Sequence, residues 1–138
     1  MKNKKGFTLI ELLVVIGIIA ALSVTVFVAL DPAKRFKDAR NARRMTDADT
    51  ILAAVHQYVV DTGGSMPVGI GVGSSQIGTC AGCVDVATVL SSNKYLKTNP
   101  IDPQGSAAST GYTISKDANN LFTVGASLSE GTTIAISR

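Results

Sequence analysis

The segment Gly6–Leu30, GFTLIELLVVIGIIAALSVTVFVAL, constrains this chain more than any other feature in it. Between Phe7 and Leu30 the one charged residue is Glu11. At about 1.5 Å per residue a helix over that span reaches about 36 Å, against a bilayer hydrocarbon core of about 30 Å. A helix closes its own backbone hydrogen bonds, which is what lipid demands of a spanning segment. Glu11 runs against that logic. An ionised carboxylate near the bilayer centre costs at least about 2.5–3.5 kcal/mol, and such groups persist where they have a partner and a purpose.

Ahead of the apolar run stands MKNKKG, with Lys2, Lys4 and Lys5 and no acid. A basic start followed by an apolar stretch has the outline of a secretory signal peptide. The run is too long for that, and no small-x-small cleavage site follows it directly. The small residue comes first, at Gly6. Lys5-Gly6-Phe7-Thr8-Leu9-Ile10-Glu11 resembles the class III leader and N-methylation motif of type IV pilins and type II secretion pseudopilins. The resemblance rests on the basic leader, Gly before Phe, the Glu one helical turn beyond that Phe, and the unbroken apolar segment. It implies that a prepilin peptidase cuts between Gly6 and Phe7 and methylates the new amino group of Phe7. The helix would then sit in membrane lipid as a single-pass anchor of the cytoplasmic membrane. An inner-membrane assembly platform would later move it into a surface filament of identical subunits. Phe7 and Glu11 become the assembly pair, the carboxylate meeting the amino terminus of a neighbouring subunit, and such a pair fixes register. The residues taken alone also allow a Glu that snorkels to the headgroups, favoured by the helix N-terminus.

A length of 138 residues fits one small domain and an anchor. Lysine and arginine number 13 against 10 acids, and Lys2, Lys4 and Lys5 account for the whole excess. A chain neutral without its leader is a poor general nucleic-acid binder, so DNA is at most a weakly supported partner through a local patch. There is no tryptophan and a single histidine. No nucleophile–base pair, phosphate loop or metal cluster can be picked out, so no enzyme activity and no cofactor are expected. The flanks of the apolar run raise a conflict. Lys34, Arg35, Lys37, Arg40, Arg43 and Arg44 outnumber the leader lysines, and the positive-inside rule would place the C-terminal side in the cytoplasm. The resemblance places it outside, and long domains translocate largely regardless of charge.

Asp31-Pro32 interrupts the apolar run, and a proline there can open a new helix or kink a continuing one. Many pilins carry a helix-disturbing proline slightly earlier, where this chain has Val28. Gly17 is the second weak point, and the β-branched residues between it and Pro32 have modest helix preference. Gly17 to Pro32 is therefore the expected place of helix distortion in a packed filament. Beyond it, Phe36, Ala39, Ala42, Met45, Ala48, Leu52, Val55 and Val59 recur every three or four residues, one stripe of an amphipathic helix. One helix over 7–61 is expected, with the cationic cluster at 34–44 on a solvated face that could also touch anionic headgroups or DNA. His56 is expected to be an ordinary side chain.

Thr62-Gly63-Gly64 should end the helix. The Gly- and Ser-rich stretch to Cys83 is expected to be a surface connection without much regular structure, at the place of the pilin variable loop. Cys80 and Cys83 are expected to form a local disulfide; a dithiol redox site would need a βαβ context, and a zinc site two further ligands. Val84 to Leu96 reads as a short helix or turn. Asn99 to Gly105 is a turn-rich strap with two prolines that resembles the Asp-Pro-x-Gly segment of pseudopilins and short pilins. Asp102 has no acidic neighbour in sequence at the spacing of a calcium loop. Residues 111–116, 121–124 and 132–136 alternate or run apolar as strands between turns at 117–120 and 129–131.

The expected fold is α+β: one long N-terminal helix, hydrophobic then amphipathic, packed against a small antiparallel β-meander of about three to four strands. Its parts are a cleaved leader (1–6), a membrane and filament-core helix (7–30), an amphipathic half (31–61) and a globular head (62–138). The resemblance implies a structural subunit of a pilus serving adhesion, motility or DNA uptake, or a major pseudopilin of type II secretion. A non-polymerising single-pass binding module is the alternative of another class.

Overall fold

A computed structural model of the chain describes residues 6–90 and 94–138. Lys2, Lys4 and Lys5 of the expected leader, and 91–93 of the stretch 84–96 expected as a short helix or turn, lie outside the described residues. The chain divides into two units, one ending at Phe36 and the other Lys37–Arg138.

In the first unit, helix α1 (Leu9–Leu30) starts two residues later than expected because Thr8 takes the N-cap position. No residue of α1 is buried. Its hydroxyls turn back on its own carbonyls, Ser23 Oγ donating to Ile19 O at 2.7 Å and Thr25 Oγ1 to Leu22 O at 2.7 Å. The outer surface is thereby left almost wholly apolar. Gly17 lies within α1 without interrupting it. The interruption falls at Asp31, which has left-handed φ 35° and ψ 70°. Pro32 then opens helix α2 (Pro32–Asp61) at its first position, where a missing N–H costs nothing, and Asp31 Oδ1 accepts the Lys34 amide at 3.2 Å. The long helix expected over 7–61 is present from Leu9 to Asp61, with one interruption at Asp31 that serves as both stop and start.

In the second unit α2 turns a different face inward from the one expected. Ala48, Leu52 and Val55 are buried as read, but Ala39, Ala42 and Met45 are exposed. Ile51 and Ala54 join the core, and Asn41 and Arg44 take the inward positions nearer the start. The helix ends as expected. Gly63, at φ 66°, donates to Val60 O and Gly64 to Val59 O, the paired bonds that close a glycine-stopped helix.

The sheet has four antiparallel strands in chain order: β1 (Ser75–Gln76), β2 (Tyr112–Lys116), β3 (Phe122–Ala126) and β4 (Ile134–Ser137). Alternation works as period 2 dictates. Tyr112, Ile114, Phe122, Val124, Ala126 and Ile134 are buried with Ile51, Leu52 and Val55 of α2 in one core. The β2–β3 turn is set by Asp117, whose Oδ1 accepts the amides of Asn119 and Leu121 at 2.8 and 2.7 Å while Asn120 takes φ 65°. The Gly-rich connection is more ordered than expected. It contains β1, and it buries Ile70 and Ile77. Ile77 bridges Val84, whose amide donates to Gln76 O at 2.8 Å, so the loop between them closes on itself along the outer side of β1. A short helix α3 (Val86–Val89) follows, N-capped by Asp85.

Candidate functional site

The N-terminal motif has a defined local geometry. Thr8 and Glu11 form a reciprocal cap. The Glu11 amide donates to Thr8 Oγ1 at 3.3 Å, while the Thr8 amide and hydroxyl donate to Glu11 Oε2 at 2.8 and 2.7 Å. The carboxylate is thus folded back towards the start of the helix, where the positive end of the helix dipole also lies. Phe7, Ile10, Glu11, Val14 and Val15 line one shallow cleft, so the structure brings two of the expected assembly residues, Phe7 and Glu11, to a common face. Phe7 is 83% exposed, and its bond to Gly6 sits just outside the helix. Cutting that bond would free an amine next to a carboxylate already oriented by Thr8.

A second polar centre, in the head, was missed at the level of sequence. Arg44 is fully buried and holds Asp102, itself 2% exposed, through a two-pronged pair: Nε donates to Oδ2 and Nη2 to Oδ1, the latter at 3.0 Å. The same guanidinium donates to Gln104 Oε1 at 2.8 Å, to Asn41 Oδ1 at 2.9 Å and to Glu130 Oε2 at 3.3 Å. Arg40 grips Glu130 with Nε and Nη2 at 2.6 and 2.8 Å. The Asn41 amide group pairs with the Glu130 main chain, donating to its carbonyl at 2.8 Å and accepting its N–H at 3.2 Å.

Helix α2, the proline strap and the β3–β4 turn are thereby tied at one point. Arg40 and Arg44, expected on a solvated cationic face, are instead committed to internal carboxylates, and Arg43 leans on Asp47 at 3.6 Å. The exposed cations of the 34–44 cluster shrink accordingly, and with them the patch open to headgroups or DNA. Asp102 and Glu130, distant in sequence, meet across a guanidinium. Among the described residues no group of His, Cys, Asp or Glu side chains has the arrangement of a metal site.

The electrostatics follow the geometry. Arg40, through its hydrogen bonds, and then Arg44 hold the Glu130 carboxyl down to about 2, against an opposing push from burial. Burial pushes Asp102 up, but the Arg44 bonds and the Gln104 amide outweigh it and the net shift is downward. Burial, followed by the hydrogen bond from its hydroxyl to Asp47 Oδ2 at 2.8 Å, raises Tyr112.

Cys80 and Cys83 are joined in a disulfide across a tight turn, with Cα atoms 5.1 Å apart and the Cys83 amide donating to Cys80 O at 3.0 Å. His56, expected to be ordinary, lies edge-on to Phe122 with ring centres 6.0 Å apart, and its Nε2 is buried with no hydrogen-bond partner among the described residues.

Comparison with known proteins places one part of this geometry. Residues 1–27 match the family model of the prokaryotic N-terminal methylation motif. The chain carries the class III leader of type IV pilins and pseudopilins. The match covers the Gly6–Phe7 bond, the Thr8–Glu11 cap and most of α1, a helical stretch long and apolar enough to cross a membrane. The motif implies processing by a prepilin peptidase. No curated protein and no solved structure matches the chain.

Proposed function

We propose that this chain is a type IV pilin, a structural subunit cut at Gly6–Phe7, methylated at Phe7 and polymerised through α1 into a cell-surface filament. One observation carries the reading: the methylation motif runs into a helix that buries none of its residues within its own chain. An apolar surface that large needs lipid or protein around it, and the motif belongs to chains that use first one and then the other. Before assembly the chain spans the cytoplasmic membrane once. Afterwards identical subunits surround α1, and the Phe7 amine of one copy meets Glu11 of another. Adhesion, twitching motility and DNA uptake are the roles such a filament serves. Helix distortion between Gly17 and Pro32 belongs to the packed state, with the Asp31 break at its C-terminal margin.

A second reading, a major pseudopilin of type II secretion, draws on Asp102-Pro103-Gln104-Gly105, the strap that resembles pseudopilins and that Arg44 locks to the helix. Intact-mass analysis combined with microscopy of sheared surface material tests both. The pilin reading expects a chain beginning at methylated Phe7 and recovered in long sheared filaments. The same mature chain absent from sheared material, with secretion lost on deletion, would favour the pseudopilin. An unmethylated chain starting at Met1 would overturn both and leave a non-polymerising anchored module.

A further inference from the structure

The two edges of the sheet are built differently. Along β1 the outer side is occupied, with Val84 N–H on Gln76 O and Ile77 bridging Val84. The other edge, β4, is open among the described residues. Phe122 and Arg138 exchange both backbone bonds, at 3.0 and 3.1 Å, so Ile136 and Ile134 face β3 by the antiparallel alternation. The N–H and C=O groups of Ala135 and Ser137 therefore point away from the sheet. Both residues are exposed, and among the described residues nothing bonds to these groups.

Edge strands are usually blunted by a lysine, a proline, a bulge or a covering loop. Ile134-Ala135-Ile136-Ser137 has no lysine and no proline, its register with β3 has no bulge, and among the described residues no loop bonds to its outer side. Beside the edge lies a groove of about 390 Å³, lined by Ala53, His56, Gln57 and Val60 of α2 and by Arg138. Its walls are apolar at Ala53 and at the 75% exposed Val60, and His56 and Gln57 also line it. Arg138 supplies a cation at one end, 67% exposed and only loosely paired with Asp49 at 3.8 Å.

We propose that the outer edge of β4 and the groove beside it bind an extended polypeptide segment as a fifth strand. Four main-chain groups, the N–H and C=O of Ala135 and of Ser137, supply the pairing. Every second side chain of the added strand faces the groove, which selects apolar residues there. An antiparallel strand with an acidic residue opposite Arg138 complements the charge. This is recognition by strand addition, in which the main chain gives affinity and alternate side chains give specificity. A second copy's β1 does not fit the role, because its outer side is already bonded.

The probe is acetyl-Asp-Thr-Val-Thr-Val-amide, titrated into the full-length protein in detergent micelles while backbone amide resonances are followed. Binding should shift the amides of Ala135 and Ser137. N-methylating the two threonines, whose N–H groups would face β4, should weaken binding at least tenfold. Ala135→Pro removes an outward N–H without touching the β3 ladder and should do the same. Arg138→Gln should weaken binding a few-fold. Equal affinity for the methylated peptide would overturn the proposal, and this arm holds even if Ala135→Pro unfolds the head. So would shifts confined to other residues, or an edge already filled by a β4–β4 dimer.

Discussion

Two acidic side chains of this molecule, Glu11 and Asp102, sit on opposite sides of one physical question: what keeps a carboxylate among apolar groups. In the head, Asp102 is almost completely buried and its needs are met inside the chain by Arg44, with Glu130 and Arg40 as an outer pair. On α1, Glu11 lies in an apolar helix and, among the described residues, is held by Thr8 with no cation beside it. The head is electrostatically complete. The N-terminal helix is not: none of its residues is buried, and among the described residues Glu11 has no cationic partner.

The comparison breaks most visibly at Arg44. Arg44→Met leaves Asp102 buried without its counter-charge and should destabilise the head by about 3–5 kcal/mol. Urea unfolding of the solubilised chain measures this, and Glu11→Gln in the same assay should leave the unfolding midpoint of the head unchanged. Equal effects would erase the distinction. Next in size is Gly111→Ala. Gly111 has φ 85°, and a Cβ there would stand 2.8 Å from the Asp102 Cβ, so strain and displacement of Asp102 combine. A loss of about 1–3 kcal/mol is expected.

The outer pair sharpens the contrast through pH. Glu130 is held at about 2 in the folded head against an ordinary 4.5, so the unfolded chain binds more protons between those values. Its stabilisation is complete above pH 4.5 and is lost as pH falls towards 2. Asp102, also lowered, acts with the same sign. Thermal unfolding between pH 6 and 2 should show this decline, flattened in Glu130→Gln. The smallest effect belongs to the disulfide. The ring is short, and Cys80→Ser with Cys83→Ser should cost about 1–2 kcal/mol, read as a drop in unfolding midpoint.

The legibility of the fold in its sequence divides along the same line. The N-terminal motif was legible because it is linear: its residues lie within one short window, and residues 1–27 match the methylation-motif family model. The α+β architecture, the glycine stop at 62–64 and the three later strands also came from local patterns, since period 2 and turn chemistry need no tertiary information. The inward face of α2 did not. Stepping back from Leu52 through Ala48 at helical spacing leads to Arg44 and Asn41, and apolar periodicity preferred Met45 and Ala42 because it assigns polar residues to water. Arg44 is inward because Asp102 and Glu130 arrive from 58 and 86 positions away, a fact no window contains. A buried arginine one turn before an apolar stripe, with an Asp-Pro strap later in the chain, was the available signal. Strand β1 was missed for a related reason. Ser75–Gln76 has little strand character of its own and is recruited by pairing with Ile114 and Thr113.

The most direct test of the contrast is filament growth by cells whose only copy carries Glu11→Gln, with cleavage, methylation and head stability checked in the same strain. The account predicts a processed, folded subunit that remains in the membrane and yields few or no filaments. Filaments of ordinary number and length from that strain would contradict it.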